Sequence, residues 1–212
     1  MRITWIGHSC FKIEKDGYSI ITDPYGDGSV PGYTGILETA DMVLCSHEHA
    51  DHNYRDGVEL VERTGIPFTV RIIDTYHDEA HETKRGMNQI FIIDDGETRI
   101  AHFGDLGCEL TPAQMEQLQG LDAAMIPVGG YFTIDAKQAA ELVHELNPRI
   151  VLPMHYRSAA EGFGYDVIGT VAEFTELMDS VKTIAGSEIE TTDNLGAQVI
   201  VLQPKNLRKR MN

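Results

Sequence analysis

The stretch "MVLCSHEHADH", residues 42–52, joins a short apolar run to three histidines and two acidic residues. The apolar run predicts a buried strand, so the polar residues occupy the loop at its end, where α/β proteins place their sites. In extended backbone, side chains two positions apart point the same way, so His47 and His49 can bind one metal ion. Asp51 and His52 follow the turn and can hold a second ion. A solvated surface turn would not require this order of residue types, so we interpret the stretch as a metal-binding loop.

A site for two ions needs further ligands, and the sequence offers them at predicted strand ends and loops. The segment "DTYHDEAH" offers His77 or His81, "HFGDLG" offers Asp105 between glycines, and "VLPMHYR" offers His155. Taken singly, each could be an ordinary polar or turn residue. Together with the metal-binding loop, they predict a complete ligand set for two ions.

Hydropathy patterns predict an α/β fold. Two Asp-Gly turns, each between alternating apolar runs, predict β-hairpins over residues 10–23 and 88–105. Short apolar runs predict strands over residues 2–6, 122–128 and 149–154. Helical periodicity predicts helices over residues 52–65, 111–120, 133–148 and 170–182.

Length and charge restrict the class of protein. The 212 residues are enough for one domain, which we expect to span residues 1–212. The formal net charge of −16 disfavours nucleic acid and anionic membrane surfaces as partners. We therefore expect a small-molecule substrate, which an anion or a neutral molecule could supply. Because no apolar run approaches the length of a signal peptide or a membrane span, we expect a cytoplasmic protein. The sequence is compatible with a homo-oligomer and does not decide the oligomeric state.

The order HxHxDH, a later His, the Asp of "GDLG" and a final His resembles the metal motifs of the metallo-β-lactamase superfamily. The flanking segments "WIGHSCFKIE", "ITDPY", "RGMNQIFII" and "IPVGGYFTIDA" resemble more narrowly its branch of metal-dependent hydrolases related to L-ascorbate-6-phosphate lactonase. The resemblance covers residues 1–157. It implies an αββα sandwich, two mixed β-sheets flanked by helices, with a dinuclear site at one edge.

The resemblance also implies a role for each ligand-type residue. It assigns His47, His49 and His77 to the first ion, Asp51, His52 and His155 to the second, and Asp105 to a bridge between them. His77 is favoured over His81 because a strand end holds metal geometry better than a charged loop. Two divalent ions are expected, zinc in the first place, with manganese or iron as alternatives. Weaker candidates for contacts with the substrate are His8, Asp23, Arg85 and Arg157.

These residues predict a metal-dependent hydrolase in which a metal-bound hydroxide attacks a small lactone, ester or phosphoester. Asp51 would both bind metal and accept or relay a proton, and the absence of a GxSxG motif agrees with a water nucleophile. Two alternatives stay open. One is a metal-dependent phosphodiesterase or nuclease, which the net charge disfavours. The other is a non-hydrolytic metal-binding protein of the same fold; its mononuclear iron form would leave His52 without an ion.

Overall fold

The computed structural model describes residues 1–80, 84–196 and 198–208. The α-helices in these ranges are α1 Pro112–Gln117, α2 Ala136–Leu146 and α3 Val171–Thr175. The strands are β1 Arg2–Gly7, β2 Cys10–Lys15, β3 Tyr18–Thr22, β4 Glu38–Ala40, β5 Met42–Leu44, β6 Val58–Leu60, β7 Thr69–Tyr76, β8 Met87–Asp94, β9 Arg99–His102, β10 Ala123–Pro127, β11 Ile150–Met154, β12 Val181–Thr183, β13 Glu188–Glu190 and β14 Val199–Val201. No helix in the described ranges is long and apolar enough to cross a bilayer.

Two mixed sheets form the body of the molecule, as the sequence predicts. One has the strand order β13-β1-β2-β3-β5 and the other β12-β14-β11-β10-β9-β8-β7, while β4 and β6 form a separate parallel pair. Both predicted hairpins are confirmed, with Phe11 opposite Thr22 in the first and Phe91 opposite His102 in the second. The ring of Phe11 packs edge-on against His102, 5.9 Å between centroids, so the two sheets meet in one apolar core.

The helix predicted over residues 52–65 is wrong. A 3₁₀ turn at Arg55–Gly57 leads directly into β6, which pairs in parallel with β4. The amide of Val61 extends this pairing by donating to the carbonyl of Ala40 at 2.9 Å. Gly57 weakens a helix by about 1 kcal/mol relative to Ala, and β4, some twenty residues earlier, supplies hydrogen bonds that local periodicity does not reveal. The helix predicted over residues 170–182 is likewise shorter, because its last residues pair with β14 as strand β12.

The carboxyl ends of six strands carry the predicted site residues into one region. Each residue or loop follows its strand within three positions: His8 after β1, Asp23 after β3, the loop 45–52 after β5, His77 after β7, Asp105 after β9 and His155 after β11. Strand ends are held by the hydrogen bonds of the sheet, so the side chains just beyond them have limited freedom. The fold therefore collects ligand-type residues from distant parts of the chain at one edge of the two sheets.

Gly104 allows two of these segments to approach each other closely. Its φ of 55° lies in the left-handed region, and a Cβ there would lie 2.3 Å from Asn88 Oδ1 and 2.5 Å from Ser46 Cβ. Gly120, after α1, has a similar φ of 72°, but a Cβ there would meet no described atom within 4 Å beyond its chain neighbours. A substitution at Gly120 therefore changes only the backbone strain, whereas a substitution at Gly104 adds steric overlap to that strain.

We expect Gly104→Ala to lower the free energy of unfolding by about 2–5 kcal/mol, since left-handed strain and overpacking add. Gly120→Ala, the matched control, should lose only the about 1–2 kcal/mol of the left-handed conformation. Urea denaturation followed by circular dichroism, with excess chelator so that metal binding does not contribute, measures both. Equal losses in the two variants would contradict the close packing at Gly104.

Candidate metal centre

The loop after β5 is closed by its own backbone. The amides of His52 and Asn53 both donate to the carbonyl of His49, at 2.9 and 3.0 Å. After this turn the ring of His52 lies beside that of His47, with 4.3 Å between the ring centroids. The rings of His47 and His49 lie 4.6 Å apart between centroids, consistent with the shared direction that the sequence predicts.

A first group of imidazoles is formed by His47, His49 and His77, and we call it the outer group. One ring nitrogen from each residue lies within 4.8 Å of the others. His77 comes from the end of β7, where its amide donates to the carbonyl of Gly86 at 3.0 Å. His49 is exposed, whereas His47 and His77 are buried. His81, the alternative to His77, lies outside the described residues.

A second group, the inner group, contains His8, Asp51, His52 and His155, whose ligand-type atoms also lie within 4.8 Å of one another. Asp51 Oδ2 lies 3.4 Å from His8 Nε2 and 3.7 Å from His52 Nε2. His8, His52 and His155 are almost completely buried. The structure thus adds His8 to the three residues that the sequence analysis assigns to the second ion.

Asp105 lies between the two groups. Its Oδ2 atom is 3.9 Å from His47 Nε2 and 3.4 Å from His77 Nε2 in the outer group. The same oxygen is 3.2 Å from His52 Nε2 and 3.2 Å from His155 Nε2 in the inner group. A single buried carboxylate oxygen is therefore within 4 Å of imidazoles on both sides.

Hydrogen bonds to Asp23, one direct and one through Ser46, orient two of these imidazoles. His52 Nδ1 donates to Asp23 Oδ2 at 2.9 Å, because an ionised carboxylate only accepts. The hydroxyl of Ser46 donates to the same oxygen at 2.6 Å, so its lone pair accepts from His47 Nδ1 at 2.9 Å. Both histidines consequently present an unprotonated Nε2 toward Asp105 when neutral. Outer partners of this kind fix the tautomer of metal-binding histidines.

The donor set fits a metal ion. The Nε2 atoms of His47 and His52 and the Oδ1 atom of Asp105 are buried and make no well-aligned hydrogen bond with any residue that the structure describes. An unsatisfied buried polar atom costs about 1–3 kcal/mol, and three such atoms converge here. Divalent cations bind imidazole nitrogen and carboxylate oxygen, so cations bound at this site would satisfy these three atoms.

Burial and charge set the protonation of the site. Burial lowers the pKa of His47 to about 3 and that of His8 to about 4, so these imidazoles are neutral and offer lone pairs. Burial also opposes protonation of His52, but Asp105 and Asp23 outweigh it and raise its pKa. For Asp105, burial opposes ionisation, but His155 and His52 outweigh it and hold its pKa well below the ordinary value. The site thus holds an ionised, buried carboxylate, which is stable only with positive charge nearby.

Three residues of the site have backbone conformations that are rare outside glycine. The φ angles are 52° at His8, 43° at Asp23 and 54° at His155. Each such residue costs about 1–3 kcal/mol, and such conformations cluster where function requires them. Here they turn the chain at the ends of β1, β3 and β11, so that the side chains point into the site.

Two further residues support the site, and the sequence analysis assigned them no role. Asn88 Oδ1 accepts from the amide of Asp105 at 2.8 Å, and its Nδ2 donates to Thr75 Oγ1 and to the carbonyl of Phe103. In the sequence, the signal for Asn88 was a polar residue at a position of the hairpin that is predicted to be buried. The hydroxyl of Tyr165 lies 3.1 Å from Asp51 Oδ2 and comes from an irregular loop, for which no local pattern exists.

A cavity of about 290 Å³ opens onto both groups. It is lined by His49, Asp51, His77, Arg85, Asp105, Phe132, His155 and Tyr165. Of the four weaker candidates for substrate contact, Arg85 alone is among these described lining residues.

The structure places the other three candidates away from the described lining of the cavity. His8 is fully buried and faces Asp51 and His155 in the inner group. Asp23 is fully buried, and the carboxylate is occupied by Ser46 and His52. Arg157 donates from Nε to the carbonyl of Ile168 at 2.6 Å. Within the described residues, these contacts join Asp23 to candidate metal ligands and Arg157 to the backbone, and the substrate contacts of the three residues stay a prediction.

Comparisons with known proteins identify the family of the chain. Residues 2–155 match the family model of the β-lactamase superfamily domain. The chain is 30% identical to the UPF0173 metal-dependent hydrolase of Caldivirga maquilingensis, over 74% of this chain and 82% of that protein. It is 28% identical to the UPF0173 metal-dependent hydrolase of Hyperthermus butylicus, over 97% of each. It also resembles the crystal structure of a candidate zinc-dependent hydrolase of the metallo-β-lactamase superfamily from Thermotoga maritima, with a TM-score of 0.73 and 32% identity, over 95% of this chain and 97% of that chain.

We expect His77→Ala to weaken metal binding by more than about tenfold, because it removes one imidazole of the outer group. His144→Ala is the matched control, since His144 is exposed on α2. Elemental analysis of dialysed protein gives the ions retained per chain. His81→Ala should retain the original content; a loss in His81→Ala with none in His77→Ala would transfer the ligand role to His81.

Proposed function

Because the chain belongs to the metallo-β-lactamase superfamily and is a metal-dependent hydrolase, we propose that it cleaves a small substrate at a site for two divalent cations. Residues 1–212 act as one metallo-hydrolase domain in this proposal, since β13 near the end of the chain pairs with β1 at its start.

The position of Asp105 carries the proposal of two cations. Its Oδ2 atom is within 4 Å of imidazoles from both groups, so one carboxylate can contact an ion on either side. Two cations about 4 Å apart repel each other strongly, and a shared negative charge between them offsets that repulsion.

Each group supplies three protein ligands in this proposal. His47, His49 and His77 hold the outer ion, and Asp51, His52 and His155 hold the inner ion. His8 then acts on Asp51, whose Oδ2 lies 3.4 Å from His8 Nε2, and keeps the carboxylate directed toward the inner ion. Imidazole and carboxylate ligands suit zinc, which we propose as the metal; manganese and iron accept the same set.

A divalent cation held by neutral imidazoles lowers the pKa of bound water toward about 7 and polarises the substrate oxygen under attack. The residues of the chain do the rest. Asp51 Oδ2 accepts or relays a proton, and the Tyr165 hydroxyl lies 3.1 Å from this oxygen and 2.7 Å from the carbonyl of Ser29, which holds the ring beside the carboxylate. Phe132 and Tyr165 line the cavity and limit water. The described residues that line this cavity include no Ser, Thr or Cys, which supports water as the proposed nucleophile.

The cavity supports a small lactone, ester or phosphoester as the substrate. Its volume of about 290 Å³ is at the lower end of the range for small-molecule sites. A nuclease needs a basic surface to bind the phosphate backbone, and the net charge of −16 disfavours this second function. A non-hydrolytic metal-binding protein is distinguished by its failure to turn over any ester.

We expect Asp105→Asn to lose one of two bound ions and to lower hydrolysis by about 100-fold or more, because a neutral amide cannot offset the repulsion between two cations. The side chain is nearly isosteric, so the fold should persist. Asp179→Asn, at an exposed position, is the control for the change in charge.

The measurements are ions per chain by elemental analysis, circular dichroism, and hydrolysis of a p-nitrophenyl ester, a lactone and a phosphodiester with and without chelator. Two tightly retained ions in Asp105→Asn would reject the bridging role. Hydrolysis that persists in excess chelator, after metal loss is verified, would reject the proposed chemistry.

A further inference from the structure

Arg85 is the one Lys or Arg side chain among the described residues that line the cavity of the metal centre. It also lines an adjoining cavity of about 370 Å³, together with His49, Glu48 and Met87. Arg85 is half-buried between these two spaces. A positive side chain beside the ligands of two cations adds repulsion to the site, so its presence in a chain with a net charge of −16 needs a physical reason.

Two aromatic rings support the guanidinium group. Its central carbon lies 5.1 Å from the ring centroid of Phe132 and 5.9 Å from that of Tyr131. These are distances for cation–π contact, which arginine makes through its planar face. The two rings pack edge-on at 4.7 Å, so they form one aromatic platform. Stacking on the face of a guanidinium leaves the N–H groups at its edge free to donate to a ligand.

The backbone that displays this platform is strained. Tyr131 has a φ of 62°, and across it the amide of Phe132 donates to the carbonyl of Gly130 at 2.7 Å. Such three-residue turns with a positive central φ are rare and unfavourable. Tyr131 is also 65% exposed, which is unusual for a large ring held in this way. The turn leaves the ring of Tyr131 exposed and next to Phe132, which lines the cavity together with Arg85.

Asp78 ties the backbone of Arg85 to the metal centre. Asp78 Oδ2 accepts from the amide of Arg85 at 2.7 Å and from that of Lys84 at 3.3 Å, and its Oδ1 accepts from the amide of Ala80 at 2.8 Å. Asp78 directly follows His77, a proposed ligand of the outer ion. The position of Arg85 relative to that ion is therefore set by a buried carboxylate one residue away from the ligand.

The charge of Arg85 is not neutralised by a neighbour within the part of the chain that the structure describes. No carboxylate in residues 1–80, 84–196 and 198–208 forms an ion pair with its guanidinium group. By contrast, Arg63 pairs with Asp41 at 2.7 Å and Arg149 with Asp122 at 3.5 Å. A positioned, half-buried guanidinium with free donors is suited to binding carboxylate or phosphate oxygens.

From these contacts we infer that Arg85 on the platform of Phe132 and Tyr131 binds an anionic group of the substrate, a carboxylate or a phosphate that is not the bond being cleaved. This inference rests on the proposed function, because only a hydrolase has a substrate to bind at this site. It narrows the proposed substrates from small esters and lactones in general to those that carry a negative charge. Anion binding itself can be measured without turnover.

The test uses the metal-loaded protein and two anions, inorganic phosphate and succinate, titrated by calorimetry. Arg85→Gln should weaken binding of at least one anion by about tenfold or more, the loss expected for one charge-assisted hydrogen bond. Arg85→Lys, which keeps the charge but not the planar fork, should lie between Arg85→Gln and the unchanged protein. Arg71→Gln is the matched control, because Arg71 is exposed on β7 and its loss changes the net charge equally. Metal content and circular dichroism should be equal in all four proteins.

The anion that loses affinity identifies the group, phosphate or carboxylate. In parallel, Arg85→Gln should raise KM for p-nitrophenyl hemisuccinate relative to that for neutral p-nitrophenyl acetate. Unchanged affinity for both anions in Arg85→Gln, an equal loss in Arg71→Gln, or failure of the original protein to bind either anion would overturn the inference. If anions bind through Arg85 but no ester is hydrolysed, the proposed function fails and the anion site stands. If hydrolysis depends on metal but not on Arg85, the proposed function stands and the inference fails.

Discussion

The buried carboxylate of Asp105 is the constraint on which the site depends. Only 2% of the residue is exposed, and an ionised group removed from water is costly unless positive charge compensates it. Four imidazole nitrogens lie within 4 Å of a single oxygen of this side chain. They come from loops after three different strands, β5, β7 and β11, while Asp105 follows β9. Both sheets must therefore form before this charge can be buried with its partners.

Hydrogen bonds and close packing within the chain position the groups around Asp105. Asn88 holds its amide, Gly104 lets the loop after β5 approach, and Asp23 orients His52 and, through Ser46, the neighbouring imidazole. The strained backbone in the inner group belongs to the same arrangement, since the surrounding sheet hydrogen bonds hold residues in conformations they would not adopt alone. In the metal centre that we propose, these contacts hold the candidate ligands in position, which favours both affinity and correct geometry.

The two sides of the site differ in access. His8 and His52 of the inner group are fully buried, whereas Asp51 and His155 line the cavity and His49 of the outer group is exposed beside Arg85. The net charge of −16 repels anions at a distance, but salt screens this repulsion beyond about 8 Å at physiological ionic strength. The proposed cations and Arg85 add positive charge at the cavity. This local charge allows a strongly acidic protein to accept the anionic substrate that we propose.

Local chemistry by itself determined the metal-binding loop, both hairpins and the positions of His77, Asp105 and His155, because strand periodicity and ligand residue types are visible in short segments. Tertiary contacts decided the rest. Part of the segment 52–65, which was predicted to be a helix, instead forms a strand that pairs with a distant strand. Asp23 faces His52 instead of the cavity, and Arg157 is bound by a backbone carbonyl, whereas Arg85 meets two aromatic rings from a distant loop. Each of these outcomes depends on groups far apart in the chain that meet only when the sheets pack, and no local pattern encodes which partner a side chain will meet.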